Sequence, residues 1–574
     1  MNLRRVLLAP AEAASPAMHI EAKYLPLEGA YRWERESPDR VYMVQPVGGG
    51  AVEEYTWGQT LDQARRMAAH IRSLGLEPES SIAIVSKNCA HFILADLAIW
   101  MSGHKSVALY PTLDAETASY VLDHSEAKLL FVGKLDVWDE MKPGVPDDLP
   151  RIAFPLSPPN DYPKWDDIVA ANEPIGDSPS RGPEEIALLC YTSGSTGKPK
   201  GVITTFGNMA TAARGVGQVL DTRTDDRQLS YLPLAHSFER AAVENLSLHV
   251  GSQVYFAESL DTFIDDLRRA RPTVFHSVPR LWLKFQLGVL SKMPQKKLDR
   301  LLKIPIVRGA VRRKILDGLG LGSARLAISG SAPIPAELIT WYRNLGLELL
   351  EGYAMTENFA YSHINLPGKT RAGYVGNCFP DVECKLSEAG EVLVKSDATM
   401  PGYFKAPELT EACFTGDGFL KTGDRGEIDE QGRLKITGRV KELFKTSKGK
   451  YIAPVPIENL LNADNHIEQS CVSGVGHPQP YAVAMLAEDL RDAVADPATR
   501  AEVTTALQAL LRKINEQVAS YERLQFIAVA KDPWLIENGF LTPTMKIKRR
   551  VLEETYAPHL ERWYSAQEPV VWEG

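Results

Sequence analysis

The stretch Ile186-Ala187-Leu188-Leu189-Cys190-Tyr191-Thr192-Ser193-Gly194-Ser195-Thr196-Gly197-Lys198-Pro199-Lys200-Gly201 decides how the rest of the chain is read. Its apolar start, Ile186 to Cys190, has the composition of a buried strand. The residues after Cys190 pack glycines, hydroxyls and two lysines into one short loop, and flexible backbone amides beside ammonium groups suit a polyphosphate. The P-loop pattern G-x-x-x-x-G-K-[ST] is not met. Thr192 stands where its first glycine belongs and Pro199 where its serine or threonine belongs. Pro199 also blocks the helix whose N-terminus would cradle phosphate. The loop is a phosphate loop of another kind, and a phosphotransferase built on a P-loop is excluded.

Working outward, short β-rich runs alternate with amphipathic helical stretches from about residue 81 to 350. Ser81–Val85 precedes Ala90–Trp100, Ser106–Tyr110 precedes Ala115–Asp123 with Asp114 as its N-cap, and Lys128–Val132 comes next. That alternation predicts sheets covered by helices. Residues 141–183 are rich in Pro, Asp and Ser and read as a surface excursion. Strand and turn signals from 371 to 440, with a turn at Asp429–Gly432, predict a small β unit. Helices near 455–462 and 498–519, with strand-like runs between them, predict a separate α+β domain. The expected class is therefore α/β, with a large multi-subdomain N-terminal region, residues 18–439, and a smaller α+β domain, residues 440–574. Residues 1–17 read as a loose tail, and Met18 as an alternative start.

With 574 residues, 44% apolar and 24% charged, the chain is too large for a small binding module and too apolar for wholesale disorder. A formal charge of −9 gives no basic field, so no nucleic-acid partner is expected. Cys89, Cys190, Cys378, Cys384, Cys413 and Cys471 form no C-x-x-C pair and read as buried thiols of a reducing compartment. The most apolar window, Phe92–Met101, contains Asp96 and falls far short of the ~20 residues a membrane span needs. The expected location is the cytoplasm, with peripheral membrane contact left open.

The loop resembles the signature of the acyl-adenylate-forming superfamily, and further stretches agree in the same order. These are Leu232-Pro-Leu-Ala-His236, Ser329-Gly-Ser-Ala-Pro333, Glu351-Gly-Tyr-Ala-Met-Thr-Glu357, Lys421-Thr-Gly-Asp424, Gly438-Arg-Val-Lys441 and Leu541-Thr-Pro-Thr-Met-Lys546. Together they cover about residues 50–555. Ala354 departs from the glycine more common at its place. Within the superfamily, Leu232–Arg240, Pro272–Trp282 and Lys441–Pro454 look most like long-chain fatty acyl-CoA synthetases.

The resemblance implies an enzyme that joins a carboxylate to the α-phosphate of ATP, releases pyrophosphate, and passes the acyl group to CoA. It implies ATP contacts from Thr192, Ser193, Gly194, Ser195, Thr196, Gly197, Lys198 and Lys200. Glu351, Gly352 and Thr356 would also contact ATP, and Gly330, Ser331, Ala332 and Tyr353 would wall the adenine. Glu357 beside Thr356 would carry Mg²⁺, a hard cation that takes oxygen ligands. Asp424 and Arg439 would hold the ribose, and Lys546 would bridge carboxylate and α-phosphate in the transition state. His236, Phe238 and Val278 would face the acyl group, while Lys445, Lys448, Gly449 and Lys450 would meet CoA. Lys441 would be the hinge about which the C-terminal domain swings, which makes residues 440–574 a mobile domain.

Without the resemblance, Asp424 reads as a turn-forming aspartate and His236 as a satisfied core histidine. Lys441 to Lys450 reads as a solvated basic turn, and Arg549 and Arg550 as a solvated face. The substrate reading is a medium- to long-chain fatty acid in an apolar tunnel between the strand near 274 and the helix near 239–249. Aryl or short branched acids, or a separate carrier protein as acceptor, are the alternatives. A non-catalytic sensor is disfavoured by Lys546, Glu357 and Asp424 occurring together, and a serine hydrolase by the absence of G-x-S-x-G.

Overall fold

The computed structural model describes residues 20–192, 198–536, 538–542 and 546–573. The loop residues Ser193 to Gly197 and the tail 1–17 lie outside them. At the centre is a six-stranded sheet in the order Arg151–Ala153, Ala127–Val132, Ser81–Val85, Lys105–Leu109, Ile186–Thr192, Lys200–Thr205. Its first five strands are parallel and the last runs antiparallel, with Thr192 opposite Lys200. The glycine-rich segment thus joins two antiparallel partners. The return strand is a feature the sequence reading lacked.

The helix expected after Asp114 forms where its cap places it. Asp114 accepts the Thr117 amide at 2.7 Å and starts Ala115–Ser125. Thr56 and Gln59 form a reciprocal capping box for Trp57–Ser73. Every residue of Ala90–Met101 is buried, as a helix apolar on all sides must be. The excursion at 141–183 is more ordered than expected. It contributes the edge strand Arg151–Ala153 and the helix Trp165–Ala171, whose Trp165 is fully buried.

A second sheet runs Val274–Ser277, Leu326–Ser329, Leu349–Tyr353, His363–Ile364, Asn377–Cys378, its first three strands parallel. A third carries Arg227–Ser230 beside Gln253–Phe256. The small β unit is a four-stranded antiparallel meander from Glu383 to Arg439, with the expected turn at Asp429–Gly432. Beyond it lies a four-stranded sheet, Ile467–Ser473, Tyr481–Leu486, Ile527–Val529 and Val570–Trp572, packed by helices Pro454–Leu461 and Pro497–Gln517. The two apolar cores of this last region draw only on residues from Phe444 onward, and the buried residues of the other two cores reach no further than Leu434. Cys89, Cys190 and Cys471 are buried as expected, whereas Cys378, Cys384 and Cys413 are half-buried; all six are free thiols. Among the described residues no helix is long and apolar enough to cross a membrane.

Candidate active site

Parallel strands present their loops at one end, and that end is where α/β proteins bind ligands. Gly330–Ala332 follows Leu326–Ser329, Ala354–Glu357 follows Leu349–Tyr353, and Leu232–His236 follows Arg227–Ser230. The first two segments, and His236 from the third, line one cleft of about 2290 Å³. Asp424, Arg439, Lys441, Lys445, Lys546 and Lys548 line the same cleft.

Asp424 sits in the strand Leu420–Ile428 rather than on a turn. Gly423 at φ +72° kinks the strand there, a conformation glycine adopts without a Cβ penalty. Asp424 Oδ2 accepts the Tyr353 hydroxyl at 2.7 Å and Oδ1 accepts Arg439 Nε at 2.7 Å. Both carboxylate oxygens are thus oriented by side chains from the predicted set. Ser331, at φ +67°, is held in the left-handed region beside Gly330. A Cβ on Gly330 would come within 3.2 Å of the Phe238 ring.

Glu357 lies in a short 3₁₀ turn, Thr356–Asn358, and its Oε1 accepts the Tyr403 hydroxyl at 2.8 Å. Its second oxygen takes no hydrogen bond among the described residues. Thr356 accepts the Ser237 hydroxyl at 3.1 Å. A hard cation would fit this pair of oxygen-bearing side chains.

His236 caps Ser237–Glu239, its Nδ1 accepting the Phe238 amide at 3.1 Å. Burial, and next the Lys546 ammonium, push its pKa down to about 4, so the ring is neutral near pH 7. With Nδ1 accepting, the proton resides on Nε2, which leaves a donor for an oxygen in the cleft.

Lys546 belongs to a bridge between Leu541 and Ile547, with its amide donating to Thr542 Oγ1 at 3.1 Å. Its side chain is open to solvent in the cleft, yet crowding by protein desolvates it enough to lower its pKa, and Arg439 lowers it further. Asp424, Glu357 and Glu442 oppose that shift. The ammonium therefore feels charged groups of both signs.

Other predicted residues fall around this centre. Thr192 and Lys200 line the cleft, and Lys198 lies over the Tyr120 ring instead. Lys448, Gly449 and Lys450 sit at the exposed tip of the hairpin Phe444–Ile452, with only Lys445 on the cleft wall. Val278 caps the helix Pro279–Lys292 and is not among the lining residues. Arg549 is not solvated as expected: its guanidinium makes a two-point pair with Glu458 at 2.7 and 2.9 Å, while Arg550 is exposed.

Sequence reasoning missed the scaffold beneath His236. Asn88 donates to Leu232 O at 2.6 Å and accepts from the Leu234 amide at 3.1 Å. Buried Glu239 accepts from Ser230, Tyr231 N and Asn88 and pairs with His276 Nε2 at 2.8 Å. Behind it the π-helical turn Arg240–Asn245 is anchored by Arg240, fully buried between Asp96 at 2.5 Å and Glu244 at 3.0 Å. No local pattern announces partners this far apart in sequence.

Glu351 yields a prediction of its own. It is buried, its Oε1 accepts only the Ile334 amide at 3.3 Å, and its Oε2 has no partner. Burial pushes its pKa from 4.5 up to about 8. The folded chain therefore keeps a proton the unfolded carboxyl releases, so this stability is full below pH ~4.5 and is lost as pH rises toward ~8. Glu351→Gln removes the titration. Between pH 5 and 8 the variant's unfolding free energy, read from urea titrations, should rise relative to wild type by up to about 1.4 kcal/mol per pH unit. A gap that does not change with pH would show the carboxyl ionised in the fold.

A carboxylate held by tyrosine and arginine, and a lysine from the C-terminal region lining the same cleft, give the layout of an enzyme that handles anionic groups. The chain belongs to the AMP-binding enzyme family: the model of that family matches residues 30–404, and that of the AMP-binding enzyme C-terminal domain matches residues 442–568. Similar curated proteins include the long-chain-fatty-acid–CoA ligase FadD15 of Mycobacterium bovis, 30% identical over 94% of this chain and 96% of the relative. The long-chain-fatty-acid–CoA ligase 5 of Rattus norvegicus is 30% identical over 90% of this chain and 85% of the relative. Among solved structures, the adenylation domain of a carboxylate reductase from Mycobacterium chelonae superposes with a TM-score of 0.79 at 22% identity, covering 94% of this chain and 91% of that one. The anthranilate CoA ligase AuaEII superposes with a TM-score of 0.76 at 21% identity, covering 94% and 100%.

Proposed function

We propose that the chain activates a medium- to long-chain fatty acid with ATP, forming acyl-AMP and pyrophosphate, and then transfers the acyl group to CoA. The observation that carries the acyl part is the apolar portion of the cleft lining: besides His236 it includes Val216, Leu220, Ala241, Ala242, Leu246, Val274 and Ile328. Apolar lining is what an alkyl tail requires, and Ala241, Ala242, Leu246 and Val274 belong to the two segments between which the tunnel is expected. The relatives' names agree with this reading.

In this scheme Asp424 accepts the ribose hydroxyls while Tyr353 and Gly330–Ala332 flank the base. Thr192, Lys200 and the loop between them hold the phosphates. The donor on His236 Nε2 orients the fatty carboxylate. Lys546 bridges that carboxylate and the α-phosphate, where its charge lowers the cost of bringing two anions together. Glu357 and Thr356 would hold Mg²⁺, which neutralises phosphate charge when bound. Residues 440–574 then turn about Lys441, so that the wall bearing Lys445 and the hairpin beyond it admits CoA where Lys546 stood.

The test is a substrate series. Apparent affinity should improve by a few tenths to about 0.8 kcal/mol per methylene until the tunnel is filled, then reverse. The assay measures pyrophosphate release with acids from C2 to C18 and aromatic acids, with and without CoA. Acetate or benzoates outperforming every acid from C8 to C18 would remove the fatty-acid reading.

We further infer peripheral contact with an anionic lipid surface through the segment 291–314. Lys296, Lys297, Arg300, Lys303, Arg308 and Arg313 are exposed there with Ile304 and Ile306, the latter 93% exposed. Cations around a protruding apolar residue suit an interface of anionic headgroups. Sedimentation with phosphatidylglycerol vesicles should fall several-fold in Ile306→Asp. Equal binding by the variant would place the contact elsewhere.

A further inference from the structure

Where the second sheet meets the small β unit, three metal-ligating side chains converge. His363 and Cys378 face each other across the antiparallel strands His363–Ile364 and Asn377–Cys378, and Cys384 comes from the first strand of the next sheet, Glu383–Leu386. One ligating atom of each lies within 4.8 Å of the others, and Cys378 Sγ is 3.2 Å from His363 Nε2. In a tetrahedral site with Zn–S near 2.3 Å and Zn–N near 2.0–2.1 Å, neighbouring ligand atoms stand about 3.4–3.8 Å apart. Small side-chain rotations bring this trio to that spacing.

A second observation supports a ligand here. Ser362 Oγ lies 2.8 Å from His363 Nδ1, and both residues are buried. An Nδ1–H donated to that hydroxyl leaves the lone pair on Nε2, toward the thiols. Metal-binding histidines are oriented by an outer partner in this way.

We propose that His363, Cys378 and Cys384 form a three-ligand Zn²⁺ site. Two thiolates and an imidazole suit a borderline-soft d¹⁰ ion and not Mg²⁺, so the site is distinct from the oxygen ligands at Glu357. On binding, each thiol gives its proton to solvent and its sulfur lone pair to the metal. Water or a small anion fills the fourth position. None of the three residues has a part in the adenylation scheme. The effect would be mechanical: His363 pairs with Tyr353 across the strands, and Cys384 belongs to the sheet bearing Asp424. A metal joining them would fix the two elements that meet in the Tyr353–Asp424 hydrogen bond.

The experiment uses the full chain, stripped by chelator and kept reduced, in equilibrium dialysis against Zn²⁺ with a weak competing chelator. Elemental analysis should give one equivalent of zinc. Affinity should fall at least ten-fold in Cys384→Ser and in His363→Gln, and stay unchanged in Cys413→Ser. Co²⁺ in place of Zn²⁺ should give a sulfur-to-cobalt charge-transfer band and the intense visible bands of a tetrahedral ion, a readout on wild type that decides even if a variant fails to fold. Wild-type protein without that band, or stoichiometric zinc retained in both cluster variants, would overturn the proposal.

Discussion

Replacing Lys546 with alanine is expected to slow acyl-adenylate formation by about 10²–10³, the usual loss when one preorganised charge is removed from a transition state. The size of the effect comes from where the ammonium sits. It is desolvated in the cleft and feels Asp424 and Glu357, and its own charge reaches His236. In the proposed scheme, a cation that senses both Asp424 and the His236 imidazole acts on charge that changes during reaction. The loss should therefore appear in kcat for ATP–pyrophosphate exchange, with KM for ATP moved only a few-fold. Transfer of preformed acyl-AMP to CoA should survive, because the proposed rotation takes the lysine out of the site for that half-reaction. Lys548→Ala is the control: it removes a neighbouring cleft-lining charge and should cost little. Exchange near the wild-type rate in Lys546→Ala, or an equal loss in Lys548→Ala, would take the bridging role from Lys546.

The parts of this arrangement that could be read in the chain are those written in local chemistry. Asp114 and the Asp429–Gly432 turn announce themselves because a cap or a turn needs particular residues at fixed offsets. The ordered motifs announce the cleft because loops at strand ends carry the functional groups. What stayed hidden depends on distant partners. Arg549 looks like part of a solvated basic run until the fold brings Glu458 beside it. Asp424 looks like a turn residue because Gly423 and Gly426 flank it, whereas the glycine kinks a paired strand. Arg151–Ala153 is too short, and too closely surrounded by prolines, for any alternation to emerge. Its place as an edge strand is set by Leu130–Val132 next to it. The network of Asn88, Glu239 and His276 is the largest omission, since it spans three elements and exists only after they pack.

A proline at Lys441 should separate the two half-reactions. Lys441 lies in the single 3₁₀ turn Val440–Glu442. Immediately before it, Arg439 is tied to Asp424; shortly after it, Phe444 enters the core of the C-terminal region. The turn is thus the link between two separately packed bodies, and any rotation of one against the other must change its dihedrals. A 3₁₀ turn has φ near −50 to −70°, close to the −65° that proline imposes, so Lys441→Pro favours the arrangement in which Lys546 faces the cleft. Proline also biases Val440 toward extended backbone, a local cost that both half-reactions share. Pyrophosphate exchange should stay within about ten-fold of wild type, while single-turnover transfer from preformed acyl-AMP to CoA falls by at least about 10². Lys441→Ala, which removes the charge and leaves the backbone free, should preserve the ratio of the two rates. Equal losses in both assays on folded Lys441→Pro would mean general damage. Full retention in both would move the hinge to another residue of the segment between Arg439 and Phe444.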